Sequence, residues 1–141
     1  MKTKLLSAIL LVCLLISNYG FAKDKVKRSL NFCLETFMST LQTGYHQDYS
    51  SIIAENAKFN TNRSGKVVTH SKSDELKFYS KNGKQAAIQN CEITHDVITE
   101  TENYALVNVK MKYPDFTRSN IVTLAKINDS WKITEVNSVF K

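Results

Sequence analysis

The sequence predicts one α+β domain, with N-terminal helices packed in a strongly curved, mainly antiparallel sheet. Three observations predict it. Apolar residues between 26 and 43 recur at helical spacing. From residue 85 onward the period switches to two. Short turn signals, not linkers, separate the alternating runs. The composition agrees: 141 residues with 43% apolar, 10% aromatic and 23% charged side chains suit a single folded core. Four Gly and one Pro are too few for a collagenous or low-complexity chain, and the apolar fraction is too high for a disordered tail.

The first 22 residues stand outside this fold. Lys2 and Lys4 precede an apolar run from Leu5 to Ile16, and Ser17 to Ala22 forms a small, polar exit with Gly20 and Ala22 at cleavage-site positions. This is the pattern of a secretory signal peptide cut after Ala22, and the run is too short for a spanning helix. The expected product is a secreted or periplasmic domain of residues 23–141, with no membrane span after cleavage. Loss of Lys2 and Lys4 leaves 17 basic against 13 acidic side chains. Only Lys23, Lys25, Lys27 and Arg28 cluster, so no basic stripe for nucleic acid exists.

Val26, Leu30, Cys33, Leu34, Phe37 and Leu41 form one apolar stripe, predicting a helix over 26–43 that Gly44 ends. Asp48 is placed to cap a short second helix with Ile52 and Ile53 inward. Residues 57–60 and 66–70 read as short strands around the turn Asn62-Arg63-Ser64-Gly65. Ser71 or Ser73 starts a third helix. Asp74 and Glu75 in its first turn and Lys81 in its last suit the helix dipole, and Gly83 closes it. Three long strands then follow at 85–99, 104–113 and 116–127. The turn Asn128-Asp129-Ser130 leads to a fourth at 131–140. Ile121 to Ala125 is apolar on both faces, so one face is expected to hold the helix and the other a second subunit.

These landmarks resemble a known family. The helix ending at Gly44, then Asp48, and Ala54-Glu55-Asn56-Ala57-Lys58-Phe59 open the likeness. Val109 to Tyr113 with Pro114 and Phe116, Leu124-Ala125-Lys126-Ile127 before Trp131-Lys132-Ile133, and Val139-Phe140 complete it. Over residues 28–140 the chain resembles the nuclear transport factor 2-like (cone-shaped α+β) superfamily, and most closely its putative lumazine-binding group. The resemblance implies a sheet curled into a cone, a pocket at one end, and homodimers through the convex face. It implies no single activity, because this fold hosts isomerases, dehydratases, cyclases and binding domains alike.

Candidate residues follow from that geometry. His95 shares a strand face with Cys91, Ile93 and Val97, so it is expected to point inward, as a wall residue or an acid–base group. Met111 and Tyr113 end the inward face of the next strand. Tyr45, Tyr49 and Tyr79 come from segments expected around the mouth, where amphipathic rings suit a pocket wall or ordinary packing. Arg118 meets an anionic ligand if its face is concave and is surface charge if it is convex. No carboxylate is placed to take a proton from a buried ligand: Asp48 reads as a cap, Asp96 faces away from His95, and Asp115 sits in a turn. Cys33 and Cys91 either bridge, as export favours, or are two small buried hydrophobes. No metal or cofactor motif is present: His46, His70 and His95 lack ligand spacing, and there is no glycine-rich phosphate loop.

The sequence therefore points to an exported pocket domain, a non-catalytic module for a small apolar or aromatic ligand. One alternative is an isomerase- or dehydratase-like enzyme using His95 with Tyr113. Another is a structural, dimerising domain whose pocket is filled by its own side chains.

Overall fold

A computed structural model describes residues 26–80 and 87–141. Helix α1 spans Leu30–Thr43. It begins four residues later than the apolar stripe suggests, because Ser29 is extended and its hydroxyl accepts the Phe32 N–H as the cap. Val26, read as part of the stripe, is exposed and outside the helix. Gly44 ends α1 in the left-handed conformation (φ 81°), and its N–H reaches the Thr40 carbonyl. One turn of 3-10 helix follows at Tyr49–Ile52. Asp48 precedes it but makes no side-chain cap; its carboxylate instead pairs with Arg28 at 3.2 Å. Ile52 and Ile53 are inward, as expected.

Strand β1 (Ile53–Arg63) and β2 (Lys66–Ser71) form a hairpin, then α2 spans Lys72–Phe78. The long strands are β3 (Glu92–Glu100), β4 (Tyr104–Lys112), β5 (Thr117–Ile127) and β6 (Ser130–Phe140). Both tight turns, Ser64-Gly65 and Asn128-Asp129, hold two successive residues at positive φ, the geometry that matches strand twist. Two boundaries differ from the sequence reading. β1 is longer, because a register shift between Ile53 and Lys58 exposes Glu55 and Asn56 and breaks the alternation. β3 starts at Glu92, after an irregular stretch; Gln85, like Lys81 and Gly83, lies outside the described residues, as do residues 1–22, read from sequence as a signal peptide.

The six strands form one curved sheet in the order β2-β1-β6-β5-β4-β3. Every pairing is antiparallel except β1 with β6, which is parallel. The concave face carries Ala105, Val107, Val109, Met111, Val122, Leu124 and Ile133, all at most 1% exposed. Cys33, Leu34, Phe37 and Leu41 of α1 fill the hollow above them. Burial of one such apolar side chain contributes roughly 1.5–3 kcal/mol, so this contact between helix and concave face dominates the fold's stability. Outer-strand β3 continues the same face past α1, and its side chains are mostly exposed. Among the described residues no helix is long and apolar enough to cross a membrane.

The possible Cys33–Cys91 bridge is not formed: both are free thiols. Cys33 lies under the start of β6, where its thiol donates to the Trp131 carbonyl at 3.2 Å. Cys91 lies by Tyr113, at the Arg118 end of the sheet. Trp131 pairs with Lys126 and Phe140 with Arg118, so these ends are eight β5 residues apart, about 25 Å at the usual strand rise. Cys33 is thus the small buried hydrophobe of the alternative reading, whereas Cys91 is only half-buried, and burial pushes the Cys33 thiol up to about 11.

Candidate functional site

At the end of the sheet marked by Arg118 and Phe140, α2 stands over the concave face and borders an open cavity of about 350 Å³. Local chemistry sets α2 there. The Ser71 hydroxyl accepts the Asp74 N–H, and the Asp74 carboxylate accepts the Ser71 N–H and hydroxyl. Those bonds hold the Asp74 carboxyl below its usual range. Lys72 ties the first turn to β1 through the Ile53 carbonyl at 3.0 Å.

This anchoring turns Glu75 inward, where it is 7% exposed. One carboxylate oxygen accepts the Tyr49 hydroxyl at 2.7 Å, and the other is 2.7 Å from His70 Nε2. The chain Tyr49–Glu75–His70 thus joins the 3-10 turn, α2 and the end of β2. Hydrogen bonding to Glu75 raises His70 above 6.5, against an opposing effect of burial. Burial first, and then the Glu75 charge, raise Tyr49 well above 10 and Tyr79 to about 12, so both hydroxyls stay protonated donors.

Arg118 closes the opposite wall. Its Nη2 donates to Ser138 Oγ at 3.2 Å, Ser138 donates to Asn120 at 2.7 Å, and Asn120 donates to the Val109 carbonyl. Arg118 Nε is buried with no hydrogen-bond partner. The remaining walls are Thr61, Asp74 and the rings of Phe78, Tyr79 and Phe140, with Tyr79 edge-on to both Phe78 and Tyr49.

Of the residues singled out from sequence, Tyr49, Tyr79 and Arg118 converge on this cavity, and the face of Arg118 is the concave one. Met111, opposite Arg118 in register, is core at 1% exposed. Tyr113 is half-buried beside the site, stacked on Phe116 and bonded to Gln89; burial and then Cys91 raise its hydroxyl. Tyr45 is exposed after α1. His95 is a correction. It shares Val109's face as expected, but it sits on outer-strand β3 beyond α1 and is exposed. Tyr113 lies four residues past Val109, about 13 Å along the ladder from His95, so the two form no dyad.

The sequence reading missed Glu75, His70, Phe78 and Phe140. No carboxylate was expected in place to take a proton from a buried ligand; Glu75 lines the cavity, with its two oxygens bonded to Tyr49 and His70. A first-turn acid on a short helix looks like a dipole partner, and a strand-end histidine looks solvated; only the packing of α2 on β2 joins them. The sequence left Ser71 and Ser73 open as the helix start; the Ser71–Asp74 capping box selects Ser71 and fixes which way Glu75 turns.

Comparison with known proteins follows this geometry. The sequence profile of the putative lumazine-binding family matches residues 25–141. Among curated proteins none matches. A nuclear transport factor 2-like protein of unknown function from Silicibacter pomeroyi superposes with a TM-score of 0.60 at 14% identity, covering 79% of this chain and 92% of its own. A similar protein from Methylobacillus flagellatus gives 0.58 at 16% identity, over 79% and 88%. One from Cytophaga hutchinsonii gives 0.55 at 15%, over 76% and 91%. At these identities the solved structures establish the fold, and the profile establishes the family: the chain belongs to the putative lumazine-binding family and has the nuclear transport factor 2-like fold.

Proposed function

We propose that the chain is an exported binding module whose mouth cavity takes a small, flat, ring-bearing molecule with a hydrogen-bond-accepting edge. The observation that carries this is Arg118 Nε, a buried donor with no hydrogen-bond partner, in a cavity where the rings of Phe78, Tyr79 and Phe140 share the walls with Thr61, His70, Asp74 and Glu75. A buried donor without a partner is costly, and a ligand acceptor offsets that cost. Rings supply the apolar contact, and a few placed polar groups supply orientation. The family's description names one molecule of this kind, a lumazine, whose fused flat ring carries carbonyl acceptors.

Binding is favoured over catalysis by Glu75. Both of its oxygens are already engaged at 2.7 Å, so neither is bare for proton abstraction. An open cavity of about 350 Å³ also favours a ligand over a self-filled pocket.

Fluorescence titration with lumazine and with the apolar ring compound N-phenyl-1-naphthylamine tests the reading. At least one should saturate at micromolar to submillimolar concentration. Phe78→Ala should weaken both, and Arg118→Met should weaken lumazine at least tenfold. Failure of both probes to bind would remove the reading.

Two further parts of the proposal rest on sequence. Export requires the mature chain to begin at Lys23, read by N-terminal sequencing of the exported product. A homodimer is proposed through the convex face of β5, where Ile121, Thr123 and Ala125 are half-buried. Sedimentation showing monomer alone at high concentration would remove it.

A further inference from the structure

A second cavity, about 470 Å³, lies against Phe140 and is lined by Arg63, Ser64, Phe116, Phe140 and Lys141. Phe140 belongs to both cavities, so one ring is the partition between them. The chain path explains the meeting. Arg63 is the last residue of β1 and Phe140 the last of β6, which run parallel, and Arg118 faces Phe140 across the β5–β6 ladder. The Arg63 guanidinium lies 5.5 Å from the centroid of the Phe140 ring and that of Arg118 lies 5.7 Å from it.

Arg28, Lys72 and Lys110 each hold a carboxylate, Asp48, Glu55 and Asp96 respectively. Among the described residues neither Arg63 nor Arg118 makes an ion pair, and no acidic side chain lines the second cavity. Each guanidinium lies against the Phe140 ring, whose face attracts a cation. An anion in the second cavity would satisfy the Arg63 fork, since guanidinium matches carboxylate, sulfonate and phosphate geometry.

Resting on the reading of the mouth as a ring-binding cavity, we propose that the second cavity is an anion subsite. The ligand class is then an acidic aromatic: its ring sits in the mouth, and its carboxylate, sulfonate or phosphate reaches past Phe140 to Arg63. Ring and charge are recognised on the two sides of one partition. Specificity follows from the pair, because a neutral ring leaves Arg63 unmatched and a lone anion leaves the aromatic walls unfilled.

A matched pair of fluorescent probes tests this. 1-Anilinonaphthalene-8-sulfonate carries the ring system of N-phenyl-1-naphthylamine plus one sulfonate. In low-salt buffer the sulfonate should bind the wild-type chain at least tenfold more tightly than the neutral compound. Arg63→Met should reduce that preference below twofold, and Arg28→Met, at the far end of the sheet, should leave it as in the wild type. Equal affinity of the two probes for the wild type overturns the subsite and leaves the mouth reading standing, as does a preference that survives Arg63→Met. Absence of binding by both probes overturns the two together.

Discussion

Removing the Tyr49 hydroxyl measures how firmly the mouth is held. Tyr49 is 2% exposed, and its hydroxyl donates at 2.7 Å to a carboxylate that is itself buried. Tyr49→Phe keeps the ring packed on Phe37 and Tyr79 but strips one donor from Glu75. A hydrogen bond to a charged group contributes about 1.5–3 kcal/mol, so the variant should lose about 2 kcal/mol at pH 7. In a domain of this size that is a fall in Tm of about 10 °C. Glu75→Leu should also destabilise, because it leaves the buried Tyr49 hydroxyl without a partner. The double variant has neither orphan, and His70, about a third exposed, can turn to water. Its loss should therefore fall short of the sum of the single losses by about 1–2 kcal/mol. Urea unfolding of the four proteins reads the cycle. Additivity within 0.5 kcal/mol, or a Tyr49→Phe loss smaller than that, would refute the argument that Glu75 is held by this chain.

Three other outcomes are expected. Proton NMR should titrate His70 above 6.5, and Glu75→Gln should bring it to or below that value, since burial alone lowers it. The folded pKa is the raised one, so the stability His70 adds is fully present below about pH 6.5 and fades as pH rises through the folded value. With the leader removed, a thiol reagent at pH 8 should modify Cys91 quickly and Cys33 only on unfolding, and reduction should leave Tm unchanged. Phe37→Ala, which empties the centre of α1's buried face, should cost about 3–5 kcal/mol by urea unfolding.

Much of this architecture was legible from residue pattern alone. Cys33, Leu34, Phe37 and Leu41 repeat at helical spacing because one face of α1 is buried, and β4 alternates cleanly because one of its faces is. The turns at 64–65 and 128–129 were readable because few residues tolerate positive φ. Where burial and pattern part company, reading failed. β3 alternates as if covered, yet α1 does not extend over it, so His95 was placed inside when it is outside. The site was half legible. Tyr49, Tyr79 and Arg118 are conspicuous residue types, whereas Glu75 and His70 gain their meaning from one short helix packing on one strand end. No local pattern encodes that contact. The Cys33–Cys91 separation was likewise invisible, because it depends on which ends of the sheet the two thiols reach.

The parallel seam between β1 and β6 has a consequence for how the molecule is made. It joins Ile53 to Ile133, segments far apart along the chain, one strand in from the β2 edge of the sheet. A nascent polypeptide cannot complete that seam until synthesis has reached β6, so any earlier product has β1 and β5 with open inner edges. Long-range pairing of this kind makes folding slow relative to local helix formation. A polypeptide that stays open until its closing strand arrives is still unpaired at β1 and β5 when most of it has been made, the state that the proposed export would use.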